Sequence, residues 1–245
     1  MNYQSKDQVC QKSTEDTVVD NNCITDKEFI LNSWPKRWFD LFFSGITLIL
    51  LSPILLLGTI LSKIQSSGTV FYKAKRVGRG GIVFYMYKFR TMVDNADKIG
   101  GGLTIHGDSR VTSIGRFLRF SKIDELPNLI NVLKGEMSLI GPRPEAPDYV
   151  KYYTQEQMKV LMVRPGITGP SQIANRNEEL KLKKQNDPEN YYIHELMPQK
   201  LELDLQYVST YRFLSDIRWL FKTFWILFFP PKELPYSNKV DKPST

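Results

Sequence analysis

The feature that most constrains the fold is an uncharged stretch of 21 residues near the N-terminus, from Leu41 to Leu61. This length is enough for an α-helix to cross the hydrocarbon core of a bilayer. Ser52 and Pro53 interrupt the stretch, and a proline there removes the helical hydrogen bond to the Ile49 carbonyl and bends the helix. We expect the serine hydroxyl to satisfy backbone groups that the bend frees.

Both flanks of this stretch are basic. Lys36 and Arg37 precede it, and Lys63 and a further basic run at 73–79 follow it. Basic loops normally stay in the cytoplasm, so bases on both sides favour a re-entrant helix that enters the membrane and returns. A kinked helix that spans the bilayer is the rival interpretation.

The length and charge of the chain set further bounds. Its 245 residues are enough for one domain with a real core. A net charge of +7 favours anionic partners: nucleic acid, phosphorylated small molecules or an acidic membrane surface. Residues 1–32 are polar and lack apolar periodicity, which predicts a disordered extension without a signal peptide.

The cysteines and the histidines do not indicate a metal site. Cys10 and Cys23 both lie in the polar extension, which favours a reduced cytoplasmic chain without a disulfide framework. Neither cysteine has a metal-type spacing with His106 or His194, which argues against zinc.

Two β-branched and aromatic segments, 69–72 and 82–87, surround a glycine-rich turn at 78–81. This pattern predicts a β-hairpin. Seven basic residues and no acidic one fall between Lys63 and Val93, and they form either a solvated face or a surface that grips lipid headgroups. Nucleic-acid binding is the weakest option, because no familiar binding motif is present.

Asp124 and Glu125 begin what reads as a short amphipathic helix. Four apolar residues have the spacing of one buried helical face: Leu126, Leu129, Ile130 and Leu133. Ser121 and Asp124 have the spacing of a capping box, and Gly135 is a good C-terminal stop. One interpretation is therefore that the two acids only stabilise the helix start.

The second interpretation is chemical. Successive helical residues point about 100° apart, so one carboxylate can face a phosphate while the other faces a metal ion. The dipole at the helix start is expected to keep both acids ionised and to favour bound phosphate. Downstream, Gly141-Pro142-Arg143-Pro144 holds an arginine on a stiff backbone, which suits bidentate contact with phosphate.

The chain resembles a known family, the bacterial sugar transferases, which are monotopic polyprenol-phosphate phosphoglycosyl transferases, in their small single-domain form. The resemblance runs from about Lys36 to Phe229 and rests on many blocks in one order. These blocks are Lys36 to Asp40, Ser52-Pro53, Arg76 to Gly78, Tyr87 to Met92, Asp124 to Asn128, Asn131 to Pro144, and Arg164 to Gly169.

The resemblance implies a reaction and its residues. A nucleotide diphosphate sugar, usually a UDP-sugar, would give its sugar-1-phosphate to a polyprenyl phosphate such as undecaprenyl phosphate. Asp124 matches the nucleophile that forms a covalent phospho-sugar intermediate, and Glu125 matches its partner acid at Mg²⁺. Arg143, Arg164 and Arg119 would hold phosphate oxygens. The family's membrane helix bends at the positions of Ser52 and Pro53, with both ends cytoplasmic.

This chain departs from the family pattern at two places. Lys73-Ala74 stands where relatives commonly have Arg-Gln, and Pro170-Ser171-Gln172 stands where they often have Trp-Ala-Gln. Neither change touches the carboxylate pair. The second is expected to reshape the nucleotide or sugar pocket, so the identity of the sugar does not transfer.

The C-terminal third offers another membrane contact. Lys200 to Tyr211 resembles the family's closing helix, and 213–229 mixes aromatic residues with a few charges. Such a segment suits the plane of the membrane interface, with packing into the core as the alternative.

The predicted fold is therefore α+β and mostly helical, with a re-entrant helix, a small hairpin and interfacial amphipathic helices. The predicted division is an extension at 1–32, a membrane helix at 33–63, a catalytic domain at 64–230 and a polar tail at 231–245. We expect an enzyme on the cytoplasmic face of the inner membrane that starts a surface polysaccharide, passes its product to downstream glycosyltransferases and binds no nucleic acid. A membrane-anchored interaction protein without activity is the alternative.

Overall fold

The computed structural model describes residues 33–65 and 68–229. The fold is α+β and mostly helical, as predicted. The helices are α1 (Trp34–Leu50), α2 (Ser52–Gln65), α3 (Ala96–Ile99), α4 (Ser113–Phe120), α5 (Asn128–Lys134), α6 (Pro147–Val150), α7 (Pro170–Ala174), α8 (Glu178–Lys183), α9 (Pro188–Tyr191), α10 (Met197–Ser209) and α11 (Phe213–Phe228). Short 3₁₀ turns cover Arg79–Gly81, Ile123–Glu125 and Gln157–Met162, and a π-helical turn covers Tyr192–Leu196. The predicted extension at 1–32 and tail at 231–245 lie outside the described residues.

The predicted hairpin is confirmed. β1 (Phe71–Val77) pairs antiparallel with β2 (Val83–Phe89) in a register that sets Phe71 opposite Phe89. A second, parallel pair joins β3 (Ser138–Ile140) to β4 (Gly166–Thr168). β3 leads directly into the Gly-Pro-Arg-Pro block, and β4 leads directly into the start of α7.

The break at Ser52-Pro53 is confirmed, and its chemistry is the predicted one. α1 and α2 meet at a bend of 64°. The Ser52 hydroxyl donates a 2.8 Å hydrogen bond to the carbonyl of Ile49, which is the acceptor that Pro53 cannot reach. Within the described ranges, no single helix is long and apolar enough to cross a membrane, whereas the bent pair together has the required length and composition.

A buried polar network joins α1 to α11. The Lys36 ammonium in α1 forms a salt bridge with Asp216 in α11 and donates to the Ile140 carbonyl at 3.1 Å. Tyr207 and Tyr211 donate to the same Asp216 carboxylate at 2.6 and 3.2 Å. We call these four side chains, Lys36, Asp216, Tyr207 and Tyr211, the helix-anchoring network.

Two local predictions were wrong. Ser121 does not cap the helix that follows it; its hydroxyl donates back to the Phe117 carbonyl at 2.8 Å, at the end of α4. In α5 the buried side chains are Asn128, Leu129, Asn131 and Val132, while Ile130 and Leu133 are exposed. The asparagines are buried because Asn131 bonds the β2 backbone, accepting from Tyr87 N at 3.0 Å and donating to Tyr85 O at 2.8 Å.

Candidate active site

The two acids lie in a tight turn rather than in a helix. The turn Ile123–Glu125 follows Lys122, whose φ of 59° is in the left-handed region, and α5 begins only at Asn128. α2, α4 and β2 all pack against this turn. α2 also approaches β2 closely, because a Cβ at Gly58 would lie 2.8 Å from the Phe89 ring. The broken helix therefore helps to position the carboxylates.

Asp124 is a buried acid with an unsatisfied oxygen. Its side chain is 6% exposed, and Oδ1 has no hydrogen-bond partner among the described residues. Burial, and then the negative charge of Glu125, raise the pKa of Asp124 to about 6. The sequence predicted that a helix dipole would favour ionisation of both acids, but Asp124 lies in a 3₁₀ turn, where burial and the charge of Glu125 act in the opposite direction. With this pKa the carboxyl group is mostly an anion near neutral pH, and its burial leaves that anion poorly solvated.

Glu125 has the opposite electrostatic environment. Its Oε1 accepts hydrogen bonds from the Lys88 ammonium at 2.7 Å and from Arg143 Nη2 at 3.2 Å. Burial opposes ionisation of Glu125, but the charges of Lys88 and Arg143 outweigh it and hold its pKa well below the usual range. The pKa of Lys88 is lowered because its burial outweighs the attraction of Glu125. Adjacent acids with pKa values pushed apart are typical of sites that assign them separate roles.

The backbone around Arg143 is held by close contacts that require glycine. Gly166 N donates to Pro142 O at 2.8 Å, and a Cβ at Gly166 would lie 2.1 Å from Gly141 N. Arg143 N in turn donates to Asp204 Oδ2 at 3.2 Å, and Ser171 Oγ donates to the same oxygen at 2.9 Å. The Arg-Pro-Gly block thus supports the Gly-Pro-Arg-Pro block, and the Arg143 side chain is aimed from a rigid loop.

One wide cleft of about 2380 Å³ is lined by Lys88, Asp124, Glu125 and Arg143, and it extends to α1 residues such as Thr47. A second polar cluster also lines it: the Lys200 ammonium donates to Glu178 at 3.0 Å and to the Tyr192 hydroxyl at 3.0 Å, and Tyr192 bonds Glu145.

The predicted phosphate-binding arginines divide into two groups. Arg143 touches Glu125, and Arg119 lines the cleft, where it contacts Glu179 at 3.3 Å and its positive charge acts on Asp124. Arg164 is not brought to the cleft; its Nε donates to the Gly135 carbonyl at 3.0 Å.

Sequence reasoning missed Lys88 and Asp204 as members of the site. Lys88 lies in the Tyr87 to Met92 block that carried the family resemblance. The block was recognised, but no function was assigned to Lys88 itself. Asp204 was recognised only as part of a helical run, and nothing in that run indicates that its carboxylate supports the Arg143 loop.

The acids suit a divalent cation that a phosphate substrate helps to bind. Among the described residues, no group of three or more His, Cys, Asp or Glu side chains forms a complete metal cage. Mg²⁺ is commonly held by one or two carboxylates together with substrate phosphates and water. The unpartnered Asp124 Oδ1, next to Glu125, supplies such a partial site.

A buried carboxylate with an unpartnered oxygen, next to a second acid held by lysine and arginine, suits chemistry on phosphate-bearing substrates. The chain matches the bacterial sugar transferase family over residues 31–230. It therefore belongs to that family.

Relatives with named activities agree with this assignment. The chain is 37% identical over 191 residues to the UDP-N-acetylgalactosamine-undecaprenyl-phosphate N-acetylgalactosaminephosphotransferase of Aeromonas hydrophila, a match that covers 77% of this chain and 42% of that protein. It is 35% identical to the UDP-glucose:undecaprenyl-phosphate glucose-1-phosphate transferase of Caulobacter vibrioides (77% and 67% covered). It is 34% identical to the exopolysaccharide production protein ExoY of Rhizobium meliloti (77% and 83% covered). The chain thus spans less than half of the Aeromonas protein and most of the Rhizobium protein.

Proposed function

We propose that this protein transfers a sugar-1-phosphate from a UDP-sugar to undecaprenyl phosphate and so initiates an exopolysaccharide or a related surface glycan. The observation that carries the proposal is Asp124, a buried and unpartnered carboxylate beside the Lys88–Glu125–Arg143 cluster. The Aeromonas and Caulobacter relatives are named for such a transfer to undecaprenyl phosphate. The Rhizobium relative is named for exopolysaccharide production.

In the first step, an Asp124 carboxylate oxygen attacks the phosphorus that carries the sugar. A new P–O bond to Asp124 forms, the P–O bond to UMP breaks, and UMP leaves with that electron pair. Low solvation of Asp124 favours attack, and Arg143, with Arg119 nearby, neutralises phosphate oxygens.

In the second step, a phosphate oxygen of undecaprenyl phosphate attacks the same phosphorus. The bond to Asp124 breaks, its carboxylate is regenerated, and undecaprenyl-diphosphate sugar is the product. Lys88 and Arg143 keep Glu125 ionised through both steps, so it can serve as a metal ligand. Asp124 and Glu125 would hold Mg²⁺, which supplies neutralisation of charge on the phosphates.

The acceptor is a lipid, so the reaction belongs at a membrane surface. We propose that α1 and α2 form a re-entrant hairpin, with the cleft on the cytoplasmic face of the inner membrane. Supporting this, exposed apolar side chains follow the pair and continue on α11, as Ile49, Leu50, Leu56, Phe221 and Phe224. The product would pass to downstream glycosyltransferases.

The test is UMP release by the full chain in detergent, with a panel of UDP-sugars. With undecaprenyl phosphate the enzyme should turn over, and without it about one UMP per active site should appear as a burst. Asp124→Asn should abolish both signals. UMP formation that strictly requires the lipid would contradict the covalent step, and normal turnover by Asp124→Asn would sink the assignment.

A matched control is Asp187→Asn. Asp187 is an exposed acid that caps α9 by accepting from Asn190 N at 3.0 Å, and asparagine caps helices equally well. This variant makes the same chemical change outside the cleft, and its turnover should equal that of the wild type.

A further inference from the structure

Arg164 lies away from the two carboxylates, in a second group of cationic side chains. Arg164 Nε donates to the Gly135 carbonyl at 3.0 Å. Arg37, at the start of α1, donates to the carbonyls of Val132 and Leu133 at 2.7 and 3.0 Å. A Cβ at Gly135 would lie 3.5 Å from Arg37 Nη2, so both guanidiniums meet at the end of α5.

Arg79 completes this group from the tip of the hairpin. Burial lowers the pKa of Arg164, and the positive charges of Arg79 and Arg37 lower it further. The 3₁₀ turn that contains Arg79 packs against the turn Gln157–Met162, shortly before Arg164 in the chain. We call Arg37, Arg79 and Arg164 the arginine cluster.

The three positive charges of the arginine cluster are only partly compensated by nearby negative groups. The carbonyl end of α5 offsets part of the repulsion, since it is the negative end of the helix dipole. However, none of the salt bridges among the described side chains includes any of these three arginines. Among the described residues, Asp40 is the acid whose charge acts on Arg164, and its carboxylate already accepts from Leu139 N and Ser138 Oγ.

We propose that the arginine cluster binds the phosphate of an anionic phospholipid headgroup, separately from the substrate cleft. Unlike the cleft arginines Arg119 and Arg143, none of the three lines that cleft. Among the described residues, the hydrogen bonds of Arg164 engage only Nε, which leaves both Nη groups to donate to an anion.

The position of the cluster identifies the anion as a lipid headgroup. Arg37 lies between Trp34 and Trp38, which are 75% and 65% exposed on the first turns of α1. Exposed tryptophans at the end of an apolar helix are typical of the membrane–water interface, where headgroup phosphates lie. The inference rests on the proposed membrane association of α1 and α2.

The experiment is native mass spectrometry of the full chain in neutral detergent, with equal amounts of short-chain phosphatidylglycerol and phosphatidylcholine. We expect one phosphatidylglycerol molecule to be retained in preference to phosphatidylcholine. Arg79→Gln should weaken that retention about fivefold, the factor for one arginine at a membrane surface. Arg79 is exposed, so its substitution is not expected to affect folding. Arg164→Gln should weaken the retention at least as much. Arg79→Lys, which keeps the charge, should retain more phosphatidylglycerol than Arg79→Gln.

Arg218→Gln is the matched control, because it removes the same charge from the exposed side of α11. Retention of phosphatidylglycerol by this variant should be unchanged. Equal retention of both lipids, an unaffected Arg79→Gln, or an equal loss with Arg218→Gln would each overturn the proposal. So would full displacement of the lipid by millimolar inorganic phosphate, which would indicate a site for any phosphate.

Asp124→Asn separates this proposal from the proposed reaction. That variant should lose UMP release and keep phosphatidylglycerol. A chain that binds the lipid without any transferase activity would support the arginine cluster and refute the reaction.

Discussion

Two buried acids, Asp216 and Asp124, differ in how completely their surroundings satisfy them. Asp216 in the helix-anchoring network has a lysine and two tyrosine hydroxyls as partners. Asp124 has a buried oxygen without any partner among the described residues. Burial of a carboxylate oxygen without a hydrogen bond costs free energy. The satisfied acid joins α1 to α11, and the unsatisfied one is the candidate nucleophile.

The largest effect on stability is expected from Asp216→Ala. This change leaves the Lys36 ammonium buried without its counter-ion, which typically costs about 3–5 kcal/mol. The fall should appear as a lower midpoint of chemical unfolding in detergent. The double variant Lys36→Met with Asp216→Leu should recover much of the loss, because it removes both charges. An unchanged midpoint for Asp216→Ala would contradict the anchoring role.

Lys88→Met is expected to affect activity more than stability. Without the 2.7 Å bond from Lys88, Glu125 keeps only Arg143, and its pKa should rise. UMP release near neutral pH should fall about 10–100-fold, the usual cost of losing a residue that supports a metal-ligating side chain.

Lys134→Met is the matched control for that change. Lys134 makes an equally short hydrogen bond, 2.7 Å to the Tyr87 hydroxyl, but it lies outside the cleft. Its UMP release should remain near that of the wild type. An equal loss in both lysine variants would mean that Lys88 acts only through the stability of the hairpin.

Asp124→Asn should stabilise the protein while it removes activity. The pKa of Asp124 is about 6 in the folded protein and near 3.8 when unfolded, so the folded state binds the proton more tightly. The free energy of unfolding of the wild type should therefore fall as the pH rises through this window. The variant should lack that dependence and be more stable above pH 6 by on the order of 1–3 kcal/mol. A variant less stable than the wild type at pH 8 would contradict the cost assigned to the buried anion.

The helix break at Ser52 and the segment from Ser121 to Gly135 show what the sequence could and could not predict. Local rules correctly predicted the Ser52 bond across the helix break and the Gly135 stop of α5. They failed at Ser121, because its hydroxyl completes the preceding helix rather than beginning the next. They failed at Asn131, because its partner is a strand 44 residues earlier. The spacing of apolar residues contains no information about hydrogen bonds to backbone that is distant in the sequence. It therefore predicted the wrong buried face for α5.

The candidate site follows the same division. Asp124, Glu125 and Arg143, which the structure brings together, were predicted because each belongs to a motif with a chemical rationale. Lys88 was missed because its role depends on β2 crossing the Asp-Glu turn. Arg164 was assigned to phosphate on the strength of its motif, while the fold places it at the end of α5.

The smallest expected effect comes from Tyr211→Phe, and it tests whether Asp216 is as fully satisfied as the comparison requires. Tyr211 donates to Asp216 at 3.2 Å, whereas Tyr207 donates at 2.6 Å to the other oxygen. Removing the longer bond leaves Asp216 Oδ2 with Lys36, so the loss should be about 1 kcal/mol or less in the free energy of unfolding. Tyr207→Phe removes a shorter bond and the hydroxyl partner of Oδ1, and should cost more. Equal midpoints for the two variants would show that the network does not depend on each partner, and would weaken the contrast with Asp124.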